Sequence, residues 1–139
     1  MDTLTPRFHS AFQELRRGVE TEMFKKMEST ITAPQMYTLY YISTREQCRL
    51  SELAEKLEVK PSAVTVMIDR LEKAGFVTRV DDPADRRAIL VKITDPGKEV
   101  MDRAIEVRNH IVGSYLSRLK PEEAELITTL LEKMVTKTS

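Results

Sequence analysis

Two adjacent arginines, Arg86 and Arg87, sit in the stretch VDDPADRRAIL, residues 80–90, crowded by three aspartates and a proline. Strand-like apolar runs lie on either side, FVTRV before and AILVKIT after, and Asp82-Pro83 marks a turn between them. The pattern is a hairpin that displays two guanidinium groups near its tip. Such a pair can seat in a negatively charged groove or on a phosphate. Taken alone, the stretch reads better as a solvated turn whose local ion pairs are worth little. The segment before it decides between the two.

That segment is PSAVTVMIDRLEKAG, residues 61–75. Pro61 suits a first helical turn, and Gly75 can supply the left-handed residue that ends the helix. At about 100° per residue, Val64, Ile68 and Leu71 share one face, with Met67 at its edge. Ser62, Thr65, Val66, Asp69, Arg70 and Lys73 fall on the other side. No acidic residue occurs from Val59 to Ile68. A helix start without acids offers free N–H groups and a positive dipole end, which suits phosphate. Ser62, Ala63 and Thr65 are small enough to allow close approach. Val66 is a weak helix former in a polar arc. Contact with a thymine methyl would give it a purpose, although lone surface apolar residues are common. Arg49 and Lys60 occupy the expected cap positions of this helix and the one before it, where Ser, Thr, Asp or Asn would be preferred. A phosphate nearby would turn those basic caps to advantage; otherwise they are tolerated at a cost of about 1 kcal/mol each.

The elements that must position these residues are helical. Phe8, Phe12, Leu15, Val19 and Met23 make one apolar stripe over residues 4–28. Thr32 and Gln35 have capping-box spacing at the head of the next helix, with Pro34 in its first turn. Leu50, Leu53, Ala54 and Leu57 line a short third helix. After the hairpin, Thr94 can cap a long helix to about Leu119, striped by Val100, Ala104, Val107 and Ile111. Pro121 opens a last helix whose Ala124, Ile127, Leu130, Leu131 and Met134 are expected to face inward. The fold class is therefore mainly α with a small β-hairpin wing: one domain over 1–139, with a winged helix-turn-helix core at about 34–94 and helical regions at 1–30 and 95–139.

A chain of 139 residues hides roughly two-thirds of its unfolded surface in a core. Lys+Arg and Asp+Glu are both 22, so any basic surface must be local. Cys48 is the lone cysteine, which excludes an internal disulfide and fits a reducing compartment. No signal-type or membrane-spanning run is evident, so a cytoplasmic location and no membrane partner are expected. His9 and His110 are far apart with no Cys/His cluster, so neither a metal nor another cofactor is expected. With no Gly-rich phosphate loop and no nucleophile elbow, no catalytic residue is assigned and the chain is not expected to be an enzyme.

The motifs LSELAEKL, VTVMIDRLEKAGFV and DPADRRAILVKIT together resemble the core of the MarR family of winged helix-turn-helix regulators, and the resemblance extends over nearly the whole chain. It implies a homodimer of interlocked N- and C-terminal helices that binds double-stranded DNA and regulates transcription, most simply as a repressor of pseudo-palindromic operators. The helix from Pro61 would be the recognition helix. Lys60, Ser62, Ala63, Thr65, Val66, Arg70, Arg86 and Arg87 would touch DNA, with Arg87 in the minor groove, where narrow grooves concentrate negative potential. Asp69 matches an aspartate that can pair with the wing arginine, and Asp85 would help orient the wing. Family members often carry arginine where this chain has Val66, and TDPG stands in place of the commoner TEKG.

The family often takes small aromatic or anionic effectors between its dimer helices and its winged module, near which QMYTLYYI places Tyr37, Tyr40 and Tyr41. Core packing with satisfied hydroxyls is the plainer reading of those tyrosines, and an effector pocket the other. Cys48 lies outside the first helix, where peroxide-sensing relatives keep their cysteine, so a redox role is not expected. The rival to DNA binding is a winged-helix module that binds protein, which would lack a positive band across the dimer.

Overall fold

The computed structural model describes residues 2–27 and 31–136. Among them the elements run α1 (Leu4–Lys26), α2 (Ala33–Arg45), β1 (Gln47–Arg49), α3 (Leu50–Leu57), α4 (Pro61–Lys73), β2 (Val77–Asp82), β3 (Asp85–Ile93), α5 (Asp95–Leu116) and α6 (Pro121–Val135). The expected end of the first helix at residue 28 lies outside the described residues. Two compact units emerge, Phe24–Glu106 and Met1–Met23 with Val107–Ser139.

In the first unit the local signals act as their chemistry requires. Thr32 accepts from the Gln35 backbone at 3.3 Å, and the Gln35 side chain accepts from the Thr32 backbone at 3.0 Å, closing the capping box. Helix α3 ends at Glu58, whose φ is 55°, so a residue with a Cβ takes the left-handed position. Helix α4 ends at Ala74, and Gly75 follows with φ 87°; the Phe76 N–H then reaches the Leu71 carbonyl at 3.0 Å. Thr94 caps α5: its hydroxyl donates to the Gly75 carbonyl at 2.6 Å and accepts from Gly97 at 3.1 Å.

The strands form one antiparallel sheet in the order β1-β3-β2. The sequence pattern shows only the hairpin. The added strand β1 is three residues long, too short for period-2 alternation to register, and its one inward residue, Cys48, pairs with Val91. The core of this unit gathers one apolar face each from α2, α3, α4, β2 and β3: Leu39 and Ile42, Leu53, Val64, Ile68 and Leu71, Val77, and Val91 are all buried.

The second unit is different in character. Helix α6 buries no residue, and the only buried residue of α1 is Met23. Ile127, Leu130, Leu131 and Met134, expected to face inward, are exposed, as are Leu4, Phe8, Phe12 and Leu15. The rings of Phe8 and Phe12 stack on each other with centroids 6.0 Å apart, still in solvent. The stripes are real, but one chain does not supply the surface that covers them.

Gly97 marks a close approach in the first unit. A Cβ there would drive into the Phe76 carbonyl oxygen, which is backbone and cannot rotate away. Gly97→Ala is expected to cost roughly 1–3 kcal/mol through overpacking, read as a lower urea midpoint at unchanged slope. An unshifted midpoint would show that α5 can slide.

Candidate nucleic-acid interface

Helices α3 and α4 form the helix-turn-helix. The buried faces of Leu53 and of Val64, Ile68 and Leu71 turn the remaining arc of α4 outward. Lys60, Ser62, Ala63, Thr65, Val66, Asp69 and Arg70 are all exposed. Val66 keeps 51% of its surface accessible, so it contributes little to this unit's core and is free for contact. Neither Arg49 nor Lys60 makes a side-chain cap bond. The start of α4 offers less than an open turn: Pro61 has no N–H, and the Lys60 carbonyl takes those of Ala63 at 2.9 Å and Val64 at 3.2 Å. The Ser62 N–H is left for an outside acceptor. The Thr65 hydroxyl donates back to the Pro61 carbonyl at 3.1 Å, which leaves its lone pairs outward.

The wing carries its arginines on β3, directly after the turn. Asp85 accepts from the Arg87 backbone at 2.9 Å, and Asp82 accepts from the Ala84 backbone at 2.9 Å, so both carboxylates brace the turn. The Ala84 amide, joined by Arg49, holds the Asp82 carboxyl below the usual aspartate range. Arg86 and Arg87 are exposed, and among the described residues no carboxylate engages either guanidinium.

Asp69 does not pair with the wing-tip arginine. Its partner is Arg79 of β2, whose guanidinium also binds Glu72 at 2.6 Å. The Arg79 backbone N–H adds a bond to Glu72 at 3.1 Å. The reason is register: Asp69 and Glu72 stand three apart on one side of α4, and β2 leaves that helix within reach of them, whereas the tip lies further along the hairpin. The hydrogen bond that Arg79 donates to Asp69 raises the Arg79 pKa above its ordinary value. Sequence reasoning passed over Arg79, although two carboxylates at helical spacing just ahead of a strand arginine were a usable signal.

The three tyrosines of α2 part company. Tyr41 donates to Glu52 at 2.8 Å, and Arg45 lies 5.1 Å from its ring centroid while also pairing with Glu52 at 3.2 Å. Tyr37, 74% accessible, and Tyr40 stand in solvent. Among the described residues no group of His, Cys, Asp and Glu is placed to hold a metal, and no helix is long and apolar enough to cross a membrane.

A helix-turn-helix backed by a three-stranded wing, with a small-residue arc on the second helix and two uncompensated arginines on the wing, defines a winged helix-turn-helix protein. The family model described as MarR family matches residues 31–89. The HTH-type transcriptional repressor MdtR of Bacillus subtilis is 36% identical over 123 residues, covering 88% of this chain and 79% of that protein. The crystal structure of YusO from Bacillus subtilis superposes with a TM-score of 0.80 at 33% identity, covering 99% of this chain and 98% of that one. A mutant MarR from E. coli complexed with operator DNA gives a TM-score of 0.72 at 27% identity, over 96% of this chain and 94% of that one. The chain belongs to the MarR family.

Cys48 is buried in β1, and burial pushes its thiol pKa up from 9.0 to about 11. A rise of that size cuts the thiolate fraction near pH 8 by about a hundredfold, and the thiolate is the reactive form. The native protein should therefore react with a thiol reagent at least about a hundred times more slowly than the urea-unfolded chain. Equal rates would remove the inert reading of Cys48.

Proposed function

We propose that the protein is a homodimeric repressor that binds pseudo-palindromic double-stranded DNA, with α4 in the major groove and the β2–β3 wing in the flanking minor groove. The observation that carries this reading is the pairing of an outward arc on α4 with wing arginines that have no counterion among the described residues. The charge of the chain is balanced overall, so two uncompensated guanidiniums on one turn are a local choice. The relative crystallised with operator DNA supports the partner, and the curated relative named a repressor supports the sense of regulation.

Dimerisation follows from the outer helices. An amphipathic helix that buries nothing in its own chain needs another surface. Leu4, Phe8, Phe12 and Leu15 of α1 and Ile127, Leu130 and Leu131 of α6 are that unmet demand. A second copy meets it symmetrically, and two-fold symmetry then imposes inverted half-sites about one helical turn apart. Selection of bound duplexes from a random pool should return such a repeat; failure to enrich any sequence would overturn the reading. Sedimentation at micromolar concentration should show a dimer, and a stable folded monomer would contradict it. Within this frame, Tyr37 and Tyr40, both exposed on α2, are the side chains offered to a small aromatic or anionic effector.

The two arginines should separate in a salt titration on operators that differ only in their flanks. Arg87→Ala should cost roughly 1–3 kcal/mol and flatten the preference for A·T-rich flanks, because narrow grooves favour A·T. Arg86→Ala should weaken all sequences alike and lower the salt slope by about one unit, as a phosphate contact does. Wild-type affinity for Arg87→Ala on both operators at every salt concentration would remove the wing-tip assignment.

A further inference from the structure

The wing is fastened at a second point, away from α4. Asp82, 9% accessible, is one of two buried polar or charged residues among the described ones. One of its carboxylate oxygens takes two N–H groups of Arg49, at 3.0 Å from Nε and 2.8 Å from Nη2. The other takes the Ala84 amide. Arg49 closes β1, opposite Leu90 of β3, and is also the residue that precedes the first turn of α3. Asp82 falls where the β2–β3 register slips, between Asp81 and Asp82. Such a slip disrupts the ladder locally and bends the strand, so a contact from outside the ladder bears on the angle of the tip. Beyond the pair a cleft of about 290 Å³ opens, lined by Arg49, Ser51, Asp85, Arg87 and Ile89. Arg49 and Arg87 thus border the same space from opposite elements.

We propose that Arg49 is a positioning residue for DNA specificity: by gripping Asp82 it sets the angle of the wing, and so the reach of Arg87. The assignment rests on the DNA-binding reading above. It also explains a basic residue at the head of α3, where an Asp or Ser would make a better cap. Arg49 is retained there because its guanidinium serves the wing, and a lysine could not present two N–H groups to one oxygen from that position.

Two roles for Arg49 predict opposite signs on removing its partner. If Arg49 simply contacts phosphate, Asp82→Asn deletes a nearby negative charge and should tighten binding to every duplex. If Arg49 positions the wing, Asp82→Asn frees the strand end and should weaken binding where the wing reads. The experiment uses the full chain and two duplexes carrying one selected operator core with A·T-rich or G·C-rich flanks, at fixed salt. We expect Asp82→Asn to lose about tenfold on the A·T-flanked duplex, the scale of one groove contact, and less than twofold on the other. Arg49→Gln should do the same. Neither change should add to Arg87→Ala, because both act through that side chain. Equal or tighter binding of Asp82→Asn to both duplexes would overturn the proposal, as would an equal loss on both or losses that add to those of Arg87→Ala. Should Arg49→Gln fail to fold, Asp82→Asn alone decides, since its amide oxygen can still accept from Ala84. Wild-type protein that binds neither duplex would instead overturn the DNA-binding reading.

Discussion

Arg79 stands between Asp69 and Glu72, and the reading head is built around that contact. It joins the exposed side of α4 to β2 through two carboxylates and a backbone amide. Partly exposed ion pairs are worth only about 0–1 kcal/mol each, so the fold does not stand or fall on them. Their effect is on alignment and charge. On the proposed reading, a helix and a hairpin that enter adjacent grooves together need a fixed mutual angle, and a branched guanidinium held by two acids supplies one. The same guanidinium offsets the only carboxylates on the outward half of α4, which would otherwise repel a phosphate backbone.

The wing shows the same division at its far end. Asp82 and Asp85 direct their oxygens to backbone amides of the turn and to Arg49, not to Arg86 or Arg87. Three aspartates beside two arginines look like internal neutralisation, yet two of the acids, Asp82 and Asp85, hold the turn and leave the cations outward. Arg79 and Arg49 therefore act inside the scaffold, and Arg86 and Arg87 act outside it. Four arginines in the same region are sorted by what each faces.

Much of this was legible in the chain. The 3.6-residue period placed Val64, Ile68 and Leu71 inward and Ser62, Thr65 and Val66 outward, because that assignment is local and repeated over three turns. Thr32 with Gln35, and Gly75, marked helix ends by chemistry that needs no distant partner. What escaped depends on contacts between elements. Strand β1 is defined by its bonds to β3, and three residues carry no period. The partner of Asp69 depends on how β2 leaves α4, and counting along the sequence could not choose Arg79 over Arg87. The stripes on α1 and α6 were plain, and Phe8, Phe12, Leu15, Ile127, Leu130 and Leu131 are more than one winged module can cover; spacing alone does not say what surface meets them. For Tyr37, Tyr40 and Tyr41 the pattern is likewise silent, since steps of one and three scatter them around α2 and only the contact of Tyr41 with Glu52 distinguishes it.

The central claim is that α4 and the wing read DNA as one aligned unit. Its most direct test is Arg79→Met, which keeps an unbranched apolar stem and removes the guanidinium. The ratio of operator to non-operator affinity at fixed salt should fall by about tenfold or more, while melting stays cooperative and within roughly 5 °C of the wild type. A ratio equal to that of the wild type, in a protein equally folded, would contradict the account.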